Sequence, residues 1–321
     1  MKKRITAIML VLVLVAGITS ACGNKDSSRE PGDPAKAMFI TNSMADAAQV
    51  FSWNEFQRLM GEFNIEMTQA SGNNEAAVEV DAVERAITEK YDVIFINPTS
   101  VEAVLPALVR AKGAGIIVGL FSAKLPDGQT GEDAIDFFCG TDDFLSGIMA
   151  GEYVSNHFPD GANAVEVGGP VGDAAQIQLH NGFTGGVADN ITILATQTCT
   201  GGWNVHEARQ IMEDFLIQFG DAIDIVWCHW DEGANAVIGA AQAAGRSDIF
   251  IIGVGGSSVG YQNVHDGLQQ LSVGRNYTTM VRQSLRNART LLDGGSVSRM
   301  NIIPMDMITP DTIGDFTRPE W

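Results

Sequence analysis

Short runs of β-branched and apolar residues recur along the body of this chain, separated by longer stretches of helical period. The first runs fall at residues 38–41, 65–69, 93–97, 116–120 and 135–139, and a second series follows at 164–167, 191–196, 223–228, 249–254 and 271–274. Few architectures accommodate that rhythm. A strand covered on both faces reads as a continuous apolar run, and laying the next strand parallel to it takes a crossover helix. The expectation is an α/β fold, parallel sheets flanked by helices, with the repeated series forming two similar lobes.

The intervening stretches support this. Ala76, Val80, Val83 and Ile87 line one face of a helix, as do Val101, Val104, Leu105 and Leu108 after Pro98, Thr99 and Ser100, where a hydroxyl can cap the first turn. In the second series, Val205, Ala208, Ile211, Met212, Phe215 and Phe219 form a broad apolar stripe. Another helix is expected over residues 232–244, stopped by Gly245, and another over 278–292 before a last extended segment at 300–307. These stripes read as core.

Residues 1–22 carry a separate instruction. Lys2, Lys3 and Arg4 precede an apolar run at 5–18, which ends in Thr19, Ser20, Ala21 and Cys22. A basic end, a short apolar run and small residues before a cleavage point make an export signal rather than a permanent span. The small residues before Cys22 resemble the lipobox of bacterial lipoproteins, with Thr19 where that motif usually has Leu. That resemblance implies a signal peptide at 1–21, Cys22 as a diacylated first residue, and a lipid-anchored protein outside the cytoplasm, at the cell surface or in the periplasm. Residues 23–36 lack apolar periodicity and read as a flexible linker, so the folded body is expected from Ala37.

The formal charge is −19, and three of the cations lie in the leader. Such a body repels nucleic acid and anionic lipid, so the lipid is the only membrane attachment expected. Cys139, Cys199 and Cys228 are widely spaced without a C-x-x-C, which is neither a disulfide framework nor a zinc site. No metal or other cofactor is expected.

In open α/β sheets, ligands sit outside the carboxyl ends of the strands. Here those ends carry Asn97, Phe121 and Ser122, residues 169–173 and 200–203, Trp230 and Asp231, residues 255–258, and Arg275. Phe121 and Trp230 suit a ligand wall or a core equally. Asp231 also suits the cap of the helix that follows it, and Arg275 a salt bridge.

Tyr91, Asp92, Val93, Ile94, Phe95, Ile96, Asn97, Pro98 and Thr99 resemble the third strand and I-N-P-T turn of the periplasmic sugar-binding proteins of ABC transporters, ribose/galactose type. Gly182 and Phe183 after Asp173, Ala174 and Ala175 continue the likeness, as do Trp230, Asp231, Glu232, Gly233 and Ala234, and the stretch from Ser247 to Gly255. It extends in order over nearly the whole processed chain. The resemblance implies the periplasmic-binding-protein type I fold, two Rossmann-like lobes joined by three crossing segments, near 140–142, 274–276 and 302–305. The N-terminal lobe would comprise 37–140 and 275–301, and the C-terminal lobe 141–274 and 302–321. Gly140 and Gly274 are the expected hinge residues. It further implies a monomer that captures a small-molecule ligand without chemistry and delivers it to an ABC permease; presentation to a membrane sensor kinase is the alternative.

Carried over residue by residue, Asn97 supplies an amide, Trp203 an aromatic stack, and Phe51 an aromatic from the opposite lobe, with Trp230, Asp231, Arg275 and Phe121 completing the candidate pocket. The departures are informative. Phe121 and Ser122 stand where the family commonly has Asp-Arg, an arginine is missing near Gln176 or Ile177, and an aspartate is missing near Gly255. A more aromatic, less polar pocket than a ribose site is expected, suited to a modified sugar, a cyclitol or a nucleoside-like ring.

Enzymatic readings find little support. Gly253, Gly255, Gly256 and Gly260 make a glycine-rich loop after a strand, but a dinucleotide fingerprint belongs in the first strand–helix unit. The five histidines are scattered, and neighbouring Cys228 and His229 on a strand point to opposite faces. No H-E-x-x-H occurs.

Overall fold

The computed structural model describes residues 33–122 and 133–321. The leader, Cys22 and the linker as far as Gly32 lie outside the described residues. Strand β1 begins at Ala35, so the last two residues assigned to the linker are already in the sheet.

The first lobe is built on β1 (Ala35–Thr41), β2 (Ile65–Ser71), β3 (Val93–Asn97), β4 (Ile117–Phe121), β5 (Phe137–Gly140) and β11 (Met300–Ile302). They lie in the order β11-β5-β4-β3-β1-β2, every neighbouring pair parallel. Successive side chains of one strand go to opposite faces, and both faces are covered. Phe39, Phe95 and Phe137 pack with Phe56 of α1 (Ala47–Leu59) and with Met280 and Leu285 of α9 (Tyr277–Leu292). Met38, Ile40, Ile94 and Ile96 pack with Val83 of α2 (Ala76–Thr88) and with Val104 and Leu108 of α3 (Val101–Gly113). Helix α1 shows no clean apolar period because Gln49, Ser52 and Glu55 lie on its buried face.

The second lobe repeats the plan with β6 (Ala162–Pro170), β7 (Ile191–Cys199), β8 (Ile225–Cys228), β9 (Phe250–Gly255), β10 (Leu271–Gly274) and β12 (Asp306–Ile308), in the order β12-β10-β9-β8-β6-β7. Only β12 runs antiparallel to its neighbour. Helices α6 (Val205–Phe219) and α7 (Asp231–Ala243) cover one face, and α4 (Asp143–His157) and α5 (Ala174–Gly186) the other. A short α8 (Ser258–His265) follows β9. The extended segment expected at 300–307 is two short strands in different sheets.

The chain changes lobes three times: between β5 and α4, between β10 and α9, and between β11 and β12. Gly140 and Gly274 end strands at two of these crossings, and neither has the positive φ that glycine alone adopts readily. Space explains them better. A Cβ on Gly140 would lie 2.6 Å from the Phe138 ring, and one on Gly274 3.1 Å from Ile308.

Helices α4 and α5 approach until backbones touch. A Cβ on Gly182 would lie 2.0 Å from the Phe144 carbonyl oxygen, and one on Gly147 2.4 Å from that of Leu179. Backbone cannot yield as a side chain can, so Gly182→Ala is expected to cost about 1–3 kcal/mol or more. Denaturant unfolding checks this; an unchanged midpoint would show that the helices separate freely.

Candidate ligand-binding cleft

The carboxyl ends of both sheets open onto one cleft with a volume of about 90 Å³. From the first lobe come Asn42 just beyond β1, Asn97 at the end of β3 and Ser122 just beyond β4; from the second come Asp173, Trp203, His229, Trp230, Gly255 and Arg275. Ser122 takes φ 64°, so the chain turns sharply as it leaves β4.

Aromatic pairs stand at two places in the lining. Trp203 and Trp230 meet edge to face, with centroids 5.5 Å apart and planes at 81°. Glycines make room for both: a Cβ on Gly169 would lie 2.5 Å from the Trp203 ring, and one on Gly233 2.5 Å from that of Trp230. Tyr277 and Trp321 form the second edge-to-face pair, at 4.8 Å and 89°.

The polar lining is braced from behind. Glu79, fully buried, accepts from the Thr99 N–H at 2.9 Å and the Thr99 hydroxyl at 2.6 Å, which fixes the turn after Asn97. Glu166, equally buried, lies 2.7 Å from Nε2 of His229 and 2.8 Å from Nδ1 of His180. Burial alone would raise the Glu166 carboxyl, but these imidazole contacts outweigh it and hold it below its usual range. A carboxylate only accepts, so His229 carries its proton on Nε2. Nδ1 then accepts from the Gly169 N–H at 3.4 Å.

Three further carboxylates line the cleft. Asp46 accepts from Ala48 N at the start of α1, Asp173 from Ala175 N and Gln176 N at the start of α5, and Glu232 lies in the first turn of α7. Burial pushes all three up, Asp173 to about 6 and Glu232 to about 7, the latter with help from the charges of Asp231 and Asp46. Arg275 Nη2 donates to Asp143 at 2.6 Å, and those two side chains are 10% and 5% exposed.

A profile of the periplasmic binding protein domain matches residues 38–296. The chain belongs to the periplasmic binding protein domain family. It is 25% identical over 257 residues to the xylitol-binding protein of Mycolicibacterium smegmatis, spanning 78% of this chain and 70% of that protein. To the ribose import binding protein of Escherichia coli K12 it is 25% identical over 236 residues, 73% of this chain and 77% of the relative. Among solved structures, a galactofuranose binding protein superposes with a TM-score of 0.82 at 23% identity, covering 88% of this chain and 97% of that one. The myo-inositol binding protein of Caulobacter gives 0.81 at 18%, covering 91% and 98%.

Within this periplasmic binding protein domain, Asn97, Trp203, Trp230 and Arg275 come together in the lining. Three other candidates lie elsewhere. Phe121 is fully buried against Phe39 and Phe56, because the last side chain of β4 points into the sheet's core and its neighbour Ser122 takes the cleft position. Phe51 packs against Trp321 and lines an adjoining groove. Asp231 is buried beneath the cleft, accepting from Gln269 Nε2 at 2.9 Å, Ser272 Oγ at 2.8 Å and Ser257 N at 3.1 Å. It is not the helix cap either, since Trp230 holds that position.

The glycine-rich loop finds its purpose around Asp231. Added Cβ atoms would lie 2.8 Å from the carboxylate at Gly253, 2.9 Å at Gly255 and 2.2 Å at Gly260, so glycine lets backbone wrap an acid rather than a phosphate. The cleft is also more acidic than expected, since Asp46, Asp173 and Glu232 join its lining with Tyr277 and Trp321. Asp173 was within reach of the strand-end rule. Glu232 and Tyr277 read as ordinary first-turn residues, and Trp321 lies beyond the last strand, where no pattern points to a site.

A carboxyl whose folded pKa lies above its unfolded one withdraws stability as it ionises. For Glu232 the full stability holds below its ordinary value of 4.5 and is lost as the pH rises through about 7. Glu232→Gln stays neutral throughout. Its melting temperature is expected to gain on wild type between about pH 4.5 and 8, with no further change in the difference below that window. Parallel melting profiles across the window would show that Glu232 ionises as if in water.

Proposed function

We propose that this protein is an extracytoplasmic solute-binding protein, tethered through a lipid on Cys22, that captures a sugar or sugar-like ring and delivers it to an ABC permease. The observation carrying the reading is the cleft itself: strand ends from two lobes converge on a small cavity lined by aromatic rings and buried amides. Aromatic faces suit the apolar faces of a sugar ring, and Asn97 and Asn42 can donate to and accept from its hydroxyls. Relatives named for ribose, fructose and xylitol binding support the ligand class. Binding needs no chemistry, and the reading assigns none.

Two measurements test this. Trp203→Ala should leave the fold intact but weaken binding by about 2 kcal/mol, thirtyfold in Kd, as loss of a buried aromatic anchor does. Calorimetry with whichever sugar stabilises the wild type against heat reads the change, and unaltered affinity would remove Trp203 from the pocket. For the tether, Cys22→Ser should shift the protein from the membrane to the soluble fraction; retention on membranes would contradict the lipid anchor.

A further inference from the structure

We propose that Trp321 sets the size of ligand the cleft accepts, limiting it to a single ring. This rests on the sugar-capture reading and deepens it. The observation that carries it is a partition. Beside the cleft of about 90 Å³ lies a groove of about 650 Å³, and among the described residues only Arg275, Tyr277 and Trp321 line both.

Two of the three are fixed by the fold. Arg275 is held by Asp143 at 2.6 Å, and Tyr277, the first residue of α9, is 5% exposed. Trp321 is placed differently. Its ring is partly buried and stands on a segment beyond β12 that belongs to neither sheet. The indole lies against Phe51 with centroids 6.1 Å apart and meets Tyr277 edge to face at 4.8 Å. Its far edge reaches the end of β9, where a Cβ on Gly255 would lie 3.5 Å from it. Two hydrogen bonds hold the segment against α8: the Ser258 N–H donates to the Trp321 carbonyl, and the Tyr261 hydroxyl to that of Phe316 at 3.4 Å.

A single ring held between Asn97 and Trp203 leaves this wall in place. A second ring extending toward Tyr277 meets the indole. Making room strips Trp321 from Phe51 and Tyr277, so the larger ligand is rejected by the contacts it must break. With the indole removed, the cleft runs into the groove, where Arg58, Asn276, Thr278 and Asp306 offer donors and acceptors for further hydroxyls.

The test is isothermal titration calorimetry of the full chain in detergent, comparing single rings with two-ring compounds that contain them: D-ribose with adenosine, D-fructose with sucrose, D-glucose with maltose, and D-galactose with lactose and melibiose. Wild type is expected to bind a single ring at least about tenfold tighter than its two-ring counterpart, and Trp321→Ala to narrow that ratio at least about tenfold. A merely structural loss would weaken both members alike and leave the ratio unchanged. Trp321→Phe keeps an aromatic contact on a smaller ring and should narrow the ratio less; it carries the test if the alanine variant does not fold. Two-ring compounds binding wild type as tightly as single rings, or one ratio shared by wild type and the variants, would overturn the partition while leaving sugar capture standing. Binding of no member of the panel to wild type would overturn both.

Discussion

Arg275 sits where the chain leaves the second sheet for the first lobe, and its burial dictates much of what surrounds it. A guanidinium removed from water needs a partner at close range, and Asp143 supplies one at 2.6 Å. Asp143 is the first residue of α4, directly after the crossing from β5. The ion pair therefore ties two crossings together. The third joins them through Ser146, one turn into the same helix, whose hydroxyl lies 2.7 Å from Met305 Sδ. Three separate passages of the chain thus converge on the N-terminus of α4, at the edge of the cleft.

The strand-end loops are held by acids that stand outside the cleft lining. Glu79 fixes the turn after β3, Glu166 orients His229 after β8, and Asp231 gathers Ser257, Gln269 and Ser272 around the end of β9. Glu207 does the same for the loop before Trp203, accepting from Thr200 N at 2.6 Å and Gly201 N at 3.0 Å. A carboxylate suits this work because it can accept several backbone and side-chain donors at once. Each brace limits the freedom of a lining residue before any ligand arrives, which lowers the ordering cost of binding.

The alternation of strands and helices was legible because burial on both sheet faces leaves a continuous apolar signature, whereas α1 was hidden by the polar residues on its own buried face. At the site, the strand-end rule located loops but could not orient side chains. Phe121 and Ser122 show why: one residue separates a core aromatic from a cleft polar group, and the positive φ of Ser122 that places it there has no local sequence signature. Asp231 illustrates a different loss. Its carboxylate looked available because Gly253, Gly255 and Gly260 are far from it in sequence, and only the fold brings their backbones around it. Residues whose partners are distant along the chain are invisible to pattern and spacing.

Trp321 makes the cleft wall and the arrangement of the lobes interdependent. Its ring packs on Phe51 of α1 and Tyr277 of α9, both in the first lobe, while its carbonyl accepts from the N–H of Ser258, which opens α8 in the second. Across the mouth, a Cβ on Gly202 would lie 3.1 Å from the Asn74 amide, so the two lobes already approach closely. Separating them must either strip the indole from its aromatic partners or break its backbone hydrogen bond to the second lobe. Both contacts are modest alone, and a ligand resting on the same aromatic surface would add to them only while the lobes stay together. A ligand would favour closure only by the difference in what it touches with the lobes together and apart, which is the only way a ligand can shift such an equilibrium.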